Sequence, residues 1–277
     1  MYGMSHVALH GAKDTTWLNF GWWGTTAVGR TPETLAEACE RLHDMVVDLL
    51  ELPEDASNMI VLDAGCGCGD SLLRLARSFP SQQLFIVGVT LEEAQAARCN
   101  ELVMAADLQQ RVTVHCGDAV KIAGDPTYDH MVCIDAAYHF QSRWTFLQRV
   151  HKVLPSGRGR IALADICLGH ACGEVTPWWV NLAIRVLSVA FQIPLVNFVT
   201  PKQYEENLLY LGFRGGKVEV VTENVWGGFS RFCAGLPWTW GLASYKFMGV
   251  LLSCLARWGI LHFVLVSATK DAVVYQT

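Results

Sequence analysis

The sequence has no basic face to offer. Lysine and arginine number 21 against 26 aspartates and glutamates, for a net charge of −5, and the positive residues form no run. Binding along a nucleic-acid backbone needs the opposite sign, so no nucleic acid is expected as a partner. No unbroken stretch approaches the ~20 apolar residues of a membrane span. The nearest, 178–200 and 240–268, are interrupted by Arg185 and Pro194 and by Lys246 and Arg257. The opening MYGMSHVALHGAKDTTW lacks the basic-then-apolar order of a secretory leader. Ten cysteines contain no C-x-x-C pair, and no second ligand pair stands at zinc spacing, so no metal site is expected. The thiols read as reduced ones in a cytoplasmic protein. Repeats and low-complexity linkers are missing as well.

What remains is an apolar chain, 52 % hydrophobic and 17 % charged, able to bury a sizeable core. Short β-branched runs alternate with helical patterns. MIVLD (59–63), LFIVGVT (84–90), RVTVHCGD (111–118), HMVCID (130–135) and RIALADI (160–166) read as strands. DSLLRLARSF (70–79), with Asp70 near its N-cap, LEEAQAARCNELVMAADL and SRWTFLQRVHKVL (142–154) read as the helices between them. Continuous apolar strands alternating with amphipathic helices predict an α/β, doubly wound, mostly parallel sheet covered on both faces. Beyond residue 166 the texture turns aromatic. An apolar stretch (174–200) precedes a helix in TPKQYEENLLYLGF that Gly212 closes. A sixth strand in GGKVEVVTENV, a helical block (226–258) and a closing seventh strand, LHFVLVSATK (261–270), follow. Six of the ten tryptophans, Trp178, Trp179, Trp226, Trp238, Trp240 and Trp258, fall in or beside these insertions, which read as a helical, aromatic lid.

The first strand ends in LDAGCGCGD. Gly65, Gly67 and Gly69 let the backbone approach a ligand where a Cβ would obstruct it, and the following helix turns its unpaired N–H groups toward the same place. A dinucleotide fingerprint would need its third glycine one place later and an acid after the second strand. Asp70 and Thr90 stand there instead, which disfavours a nicotinamide oxidoreductase. Asp63, at the strand tip, suits a cationic ligand group better than a pyrophosphate. Cys66 and Cys68 read as small side chains tolerated between the glycines.

VLDAGCGCGD resembles the glycine-rich first motif of class I S-adenosylmethionine-dependent methyltransferases. GVTLEEAQ (88–95) resembles the second motif in the branch of cyclopropane-fatty-acid synthases, tocopherol methyltransferases and coclaurine-type N-methyltransferases. CGDAV (116–120), CIDAAYHF (133–140) and HKVLPSGRGRIALADI resemble the motifs that follow. WLNFGWW (17–23) is similar to the segment that covers the cofactor in that branch. The likeness runs from about Trp17 to Lys270. It implies a Rossmann-like methyltransferase domain over 1–277. Its parts would be a cofactor-covering segment (1–57), a cofactor-binding core (58–166), substrate-binding insertions (167–260) and a closing strand (261–277).

The resemblance also implies S-adenosyl-L-methionine as cofactor. Trp17 and Asn19 would cover it. Asp63, Gly65, Cys66, Gly67 and Gly69 would hold its methionine end, Thr90, Leu91 and Gln95 its ribose and adenine, and Asp118 and Ala119 its adenine, with Asp135 also among the cofactor-binding residues. Where several relatives carry Glu-His, this chain has Tyr138-His139. His139, four residues after Asp135, is the leading candidate for a general base, with Asp135 and Tyr138 beside it; an ordinary half-exposed loop histidine is the competing reading, and His170 is a weaker candidate. The implied reaction is methyl transfer to an O or N atom of a lipophilic small molecule, a secondary metabolite or lipid-like compound. C-methylation of a terpenoid or lipid and a non-catalytic, methyltransferase-like binding protein stay open as alternatives. The aromatic C-terminal third reads as substrate pocket, as a peripheral membrane-resting face or as a partner surface, and the oligomeric state is not legible.

Overall fold

The computed structural model describes Leu9 and residues 15–25, 29–53, 58–80, 84–122, 127–169 and 178–272. An amphipathic helix, α1 (Leu35–Asp48), precedes the first strand and is N-capped by Thr34, whose side chain accepts from the Glu37 amide. Its capping pattern, Thr34 with Glu37 three residues on, is readable in the sequence, although no helix was expected there. Then come β1 (Met59–Ala64), α2 (Asp70–Ser78), β2 (Leu84–Thr90), α3 (Glu93–Ala105), β3 (Val112–Cys116), α4 (Ala119–Ile122), β4 (His130–Ile134), α5 (Arg143–Val153) and β5 (Arg160–Leu168). The second half holds α6 (Trp178–Phe191), α7 (Pro201–Tyr210), β6 (Phe213–Val220), α8 (Gly228–Gly235), α9 (Trp240–Arg257) and β7 (Leu261–Lys270).

The strands form one seven-stranded sheet in the order β3-β2-β1-β4-β5-β7-β6. The first five are parallel and β7 runs antiparallel between β5 and β6. This is the expected doubly wound, mostly parallel sheet. Alternation along each strand divides the core. Ala162, Ala164, Ile166 and Leu168 of β5 pack with α1, α2, α3, α8 and α9, while Ile161, Leu163 and Cys167 pack with α5 and α7. No helix among the described residues is long and apolar enough to cross a membrane.

One boundary differs from expectation for a physical reason. The sixth strand ends at Val220, and Glu223–Gly227 forms a π-helical turn. The Val225 amide donates to Val221 O at 3.2 Å, a bond back four residues that belongs to a helix and not to a strand, and Val221, Val225 and Phe229 are all buried. The helix α2 starts at Asp70, next to its N-cap, as expected. Gly69 occupies the cap at φ 97°, a left-handed conformation that L side chains rarely adopt.

A buried ion pair ties one face together. Arg143, opening α5, meets the Asp165 carboxylate of β5 at 2.9 Å. Tyr204 of α7 donates to the same carboxylate at 2.9 Å, and Arg143 Nη2 donates to Asn197 O at 2.7 Å. The guanidinium lies 4.8 Å from the Tyr204 ring centroid. Loop 195–197 is thereby anchored to the sheet, and Asn197 in turn donates to the Tyr138 and Phe140 carbonyls.

Candidate active site

The strand order reverses between β1 and β4, and ligands in open α/β sheets bind beyond the carboxyl ends of the strands at such a switch. A cavity of about 1240 Å³ opens there. One end is lined by Asp63, Gly65–Cys68, Thr90, Leu91, Glu92, Gln95 and Gly117–Lys121, and the other by Gln192, Ile193, Trp226, Phe229, Met248 and Leu252. Asp135, Tyr138 and His139 border the same space.

The glycine loop is held close. Gly65 has φ 86°, and a Cβ built there would stand 2.5 Å from the Ala136 Cβ. Cys66 is buried, and its thiol is pushed well above the ordinary range by a hydrogen bond with Cys99 and by burial. Gly69, expected among the ligand-contacting residues, caps α2 against Cys99 and is not part of the cavity lining. Asp63 is buried at the tip of β1, where Ser71 Oγ donates to its Oδ2 at 2.6 Å. Burial lifts its carboxyl above the usual range.

After β2, the Thr90 hydroxyl donates to Gln95 Oε1 at 2.6 Å, both side chains being buried. Leu91 between them is 69 % exposed yet lines the cavity, as a side chain available to cover a planar ligand would be. Asp118 Oδ1 accepts from the Val120 amide at 2.9 Å, fixing the turn that brings Ala119 to the cavity.

The segment before α1 crosses this loop. Thr15 Oγ1 donates to Asp70 Oδ1 at 3.0 Å, and the Thr16 amide and hydroxyl donate to Oδ2 at 3.1 and 2.5 Å. Trp17 packs against His43 with ring centroids 5.7 Å apart. Asn19 accepts from the Gly21 amide and donates to Cys39 O. Nothing local in the sequence marks Thr15 and Thr16, because their partner lies more than fifty residues away.

Asp135 follows β4 at φ 58°, a left-handed conformation that aspartate tolerates better than most residues. Its Oδ1 accepts from the Tyr138 hydroxyl at 2.6 Å and its Oδ2 from the Phe20 amide at 3.1 Å. Burial pushes its pKa up to about 7, opposed by those two bonds and reinforced by the charge of Asp165. His139 sits beside Tyr138, ring centroids 4.2 Å apart, with Nδ1 3.4 Å from Gln192 O. Burial drives its pKa down to about 4, so the imidazole is neutral at physiological pH. His170 lies outside the described residues. The free thiols include Cys68, pushed up to about 11 by burial, and no cluster of three or more potential metal ligands occurs among the described residues.

Residues 17–177 match the model of the family described as mycolic acid cyclopropane synthetase. The 27-O-demethylrifamycin SV methyltransferase of Amycolatopsis mediterranei is 29 % identical over 170 residues, 60 % of this chain and 58 % of that protein. The O-methyltransferase resE of Aspergillus sclerotiorum is 26 % identical over 209 residues, 75 % of this chain and 72 % of its own. Among solved structures, geranyl diphosphate C-methyltransferase from Streptomyces coelicolor superposes with a TM-score of 0.72, covering 96 % of each chain at 16 % identity, a likeness of fold.

Proposed function

The chain belongs to the mycolic acid cyclopropane synthetase family, and we propose that it is an S-adenosylmethionine-dependent methyltransferase acting on an O or N atom of a lipophilic small molecule. One observation carries the reading: a single cavity joins the glycine loop to an apolar chamber, with Asp135, Tyr138 and His139 on its wall.

The residues suit the cofactor. Gly65 lets the loop close on Ala136, where a Cβ would collide with the Ala136 side chain, the Asp63 carboxylate matches an ammonium group, and the Thr90–Gln95 pair offers polar atoms where a ribose would lie. Asp63 and Gly65 to Gly67 would hold the methionine end. Thr90, Leu91 and Gln95 would meet ribose and adenine, and Asp118 and Ala119 the adenine edge. Trp17 and Asn19 close the side toward solvent. When bound, the cofactor supplies an electrophilic methyl group on a sulfonium centre.

The protein then has two tasks, to aim the acceptor atom and to take its proton. Aiming can account for much of the acceleration of a bimolecular displacement. For the proton, affinity favours Asp135 over His139. A base near 7 matches the operating pH, whereas an imidazole that protonates only near 4 is a weak acceptor. Asp135 takes the proton, Tyr138 orients its carboxylate, and neutral His139 hydrogen-bonds the acceptor group. The test is incubation of the protein with methyl-labelled cofactor and a metabolite extract, followed by mass spectrometry. Labelled O- or N-methyl products support the reading, and a protein that neither binds the cofactor nor labels any product defeats it.

The outer sides of α6 and α9 are the proposed place of peripheral membrane contact. Trp178, Leu182, Val186 and Val189 of α6 and Phe247 and Val250 of α9 are exposed. The only charged side chains on the two helices are Arg185, Lys246 and Arg257. Aromatic, aliphatic and cationic surface without an acid, in a chain of net charge −5, suits an anionic lipid surface.

A further inference from the structure

The cavity wall that carries Tyr138 and His139 stands on a short turn. Both residues lie in the 3₁₀ turn Ala137–His139, whose own backbone bonds run from His139 N to Ala136 O at 3.0 Å and from Phe140 N to Ala137 O at 3.2 Å. Such turns are short and their hydrogen bonds poorly aligned, so the turn alone fixes its side chains weakly. Yet the Tyr138 hydroxyl meets Asp135 Oδ1 at 2.6 Å. The turn is held from outside. Asn197 Nδ2 donates to Tyr138 O at 3.1 Å and to Phe140 O at 2.7 Å, and Asn197 Oδ1 accepts from the Arg143 amide at 3.0 Å. Both donors and the acceptor of one carboxamide are engaged at the end of this turn and the start of α5. Asn197 is 1 % exposed and does not line the cavity, so whatever it does for a ligand it does through its neighbours.

What anchors the segment around Asn197 is separate from what its side chain does. Its backbone carbonyl accepts from Arg143 Nη2 at 2.7 Å. That guanidinium is paired with the Asp165 carboxylate, to which Tyr204 donates. Trp144 Nε1 donates to Val196 O at 3.1 Å. These bonds fix residues 195–197 to α5, β5 and α7 through the backbone, and none of them uses the Asn197 carboxamide. The side chain is free to serve the turn. A carboxamide meets two carbonyls and an amide at once. An aspartate would set a carboxylate oxygen against two carbonyl oxygens, and a leucine would leave both without this donor, which is costly in a buried place. On the other side of the turn, His139 Nδ1 lies 3.4 Å from Gln192 O. The stretch 192–197 therefore holds both residues of the wall.

We propose that Asn197 is a positioning residue for methyl transfer, whose carboxamide fixes the turn that sets Tyr138 against the Asp135 carboxylate. This rests on the methyl-transfer reading and extends it to a residue outside the cavity. The carboxamide holds the turn, the turn holds Tyr138, and Tyr138 orients the proton acceptor.

The test reads the titration of Asp135 by ¹³C NMR of labelled aspartate carboxyls, assigned with Asp135→Asn. Burial raises the proton affinity of this carboxyl, the Tyr138 hydroxyl and the Phe20 amide oppose that, and the charge of Asp165 adds to it. His139 is neutral through the range and contributes no charge. Loss of the Tyr138 bond therefore moves the midpoint up. Asn197→Ala should raise it by about one pH unit, as Tyr138→Phe does. Asn197→Ser, which keeps one donor, should raise it less. The variant carrying both Asn197→Ala and Tyr138→Phe should titrate where Tyr138→Phe alone does, because the two act through one bond. An unmoved midpoint in Asn197→Ala, or effects that add in full, would overturn the proposal, since a residue that only packs has no route to that carboxyl. S-adenosylhomocysteine affinity should be unchanged in Asn197→Ala. A second measurement needs no variant. In native protein labelled with ¹⁵N-asparagine, the Asn197 side-chain signals should shift with the midpoint of Asp135, and signals indifferent to that titration would equally overturn the proposal. Failure of S-adenosylhomocysteine to bind the native protein would instead count against the methyl-transfer reading and leave both titrations readable.

Discussion

The Tyr138 hydroxyl donates to Asp135 Oδ1 across 2.6 Å at the tip of β4, in a cavity wall where the carboxyl group titrates near 7. A carboxylate held by one hydroxyl and one amide is oriented, and its raised proton affinity makes it a base rather than a spectator ion.

The first expected outcome is a pH profile. If Asp135 must be ionised to accept the proton, kcat/KM rises through about pH 7 and is flat above it. His139, with a pKa of about 4, contributes no limb in that range. Asp135→Asn removes the limb with a rate loss of about 10²–10⁴-fold. An unchanged limb in that variant, lost instead in His139→Gln, would return the proton to the histidine.

The same residue should cost stability where it is ionised. Its folded pKa of about 7 lies above the ordinary aspartate value of 3.8, so between these the folded state holds a proton that the unfolded state has released. Stability therefore falls as pH rises from about 4 to about 7. Asp135→Asn, which cannot ionise, is expected to be more stable than the native protein by up to about 4 kcal/mol at pH 8, and by progressively less toward pH 4. Urea unfolding of both proteins across that range checks it, and a gap that stays constant with pH would refute the assignment.

Gly65→Ala should separate loop geometry from chain flexibility. The added Cβ would stand 2.5 Å from the Ala136 Cβ at a φ of 86°. Left-handed strain alone is ~1–2 kcal/mol, and the overlap adds to it. Because Ala136 adjoins Asp135, S-adenosylhomocysteine affinity should fall at least about tenfold as well. Gly235→Ala is the control, expected to leave affinity unchanged, because none of the described residues comes within 4 Å of the Cβ it would add.

How much of this was legible follows from the range of the interactions. The strands announced themselves as apolar runs, and the loop as LDAGCGCGD, because strand pairing and tight turns are written in neighbouring residues. Asp135, Tyr138 and His139 could be read as a cluster because they lie within five residues of one another, but the sequence pointed to His139 as the base, since the burial that sets the two proton affinities is not written locally. The Arg143–Asp165 pair and its Tyr204 partner could not. Nor could the bond from Phe20 to Asp135, whose partners are 115 residues apart. Trp226 looked like one more tryptophan among ten. Only its full burial beside the cavity sets it apart.

The cationic, aromatic outer sides of α6 and α9 are expected to bind lipid. The protein should sediment with vesicles containing phosphatidylglycerol and much less with neutral phosphatidylcholine, and salt should weaken the association. Replacing Trp178 and Trp179, 77 % and 50 % exposed, by serine should reduce binding by about tenfold without shifting the melting temperature. Equal recovery of both proteins in the supernatant would remove the membrane from the account.

The strap over the glycine loop offers the sharpest separation of binding from folding. Asp70 accepts from Thr15 Oγ1 and from both the amide and the hydroxyl of Thr16. As the first residue of α2 it also favours that helix by about 0.3–1 kcal/mol through its charge at the N-terminus. Asp70→Ala should therefore lose both functions, lowering stability as well as cofactor affinity. Thr15→Val with Thr16→Val keeps the charge at the helix start and removes only the hydroxyl donors. If the strap closes the cofactor end, this pair should lower S-adenosylhomocysteine affinity by about tenfold, ~1.4 kcal/mol, with the melting temperature nearly unchanged. Faster dissociation, not slower association, should account for it, because the strap acts once the ligand is seated. A double variant that binds as tightly as the native protein would show that the strap is held for the sake of the fold alone.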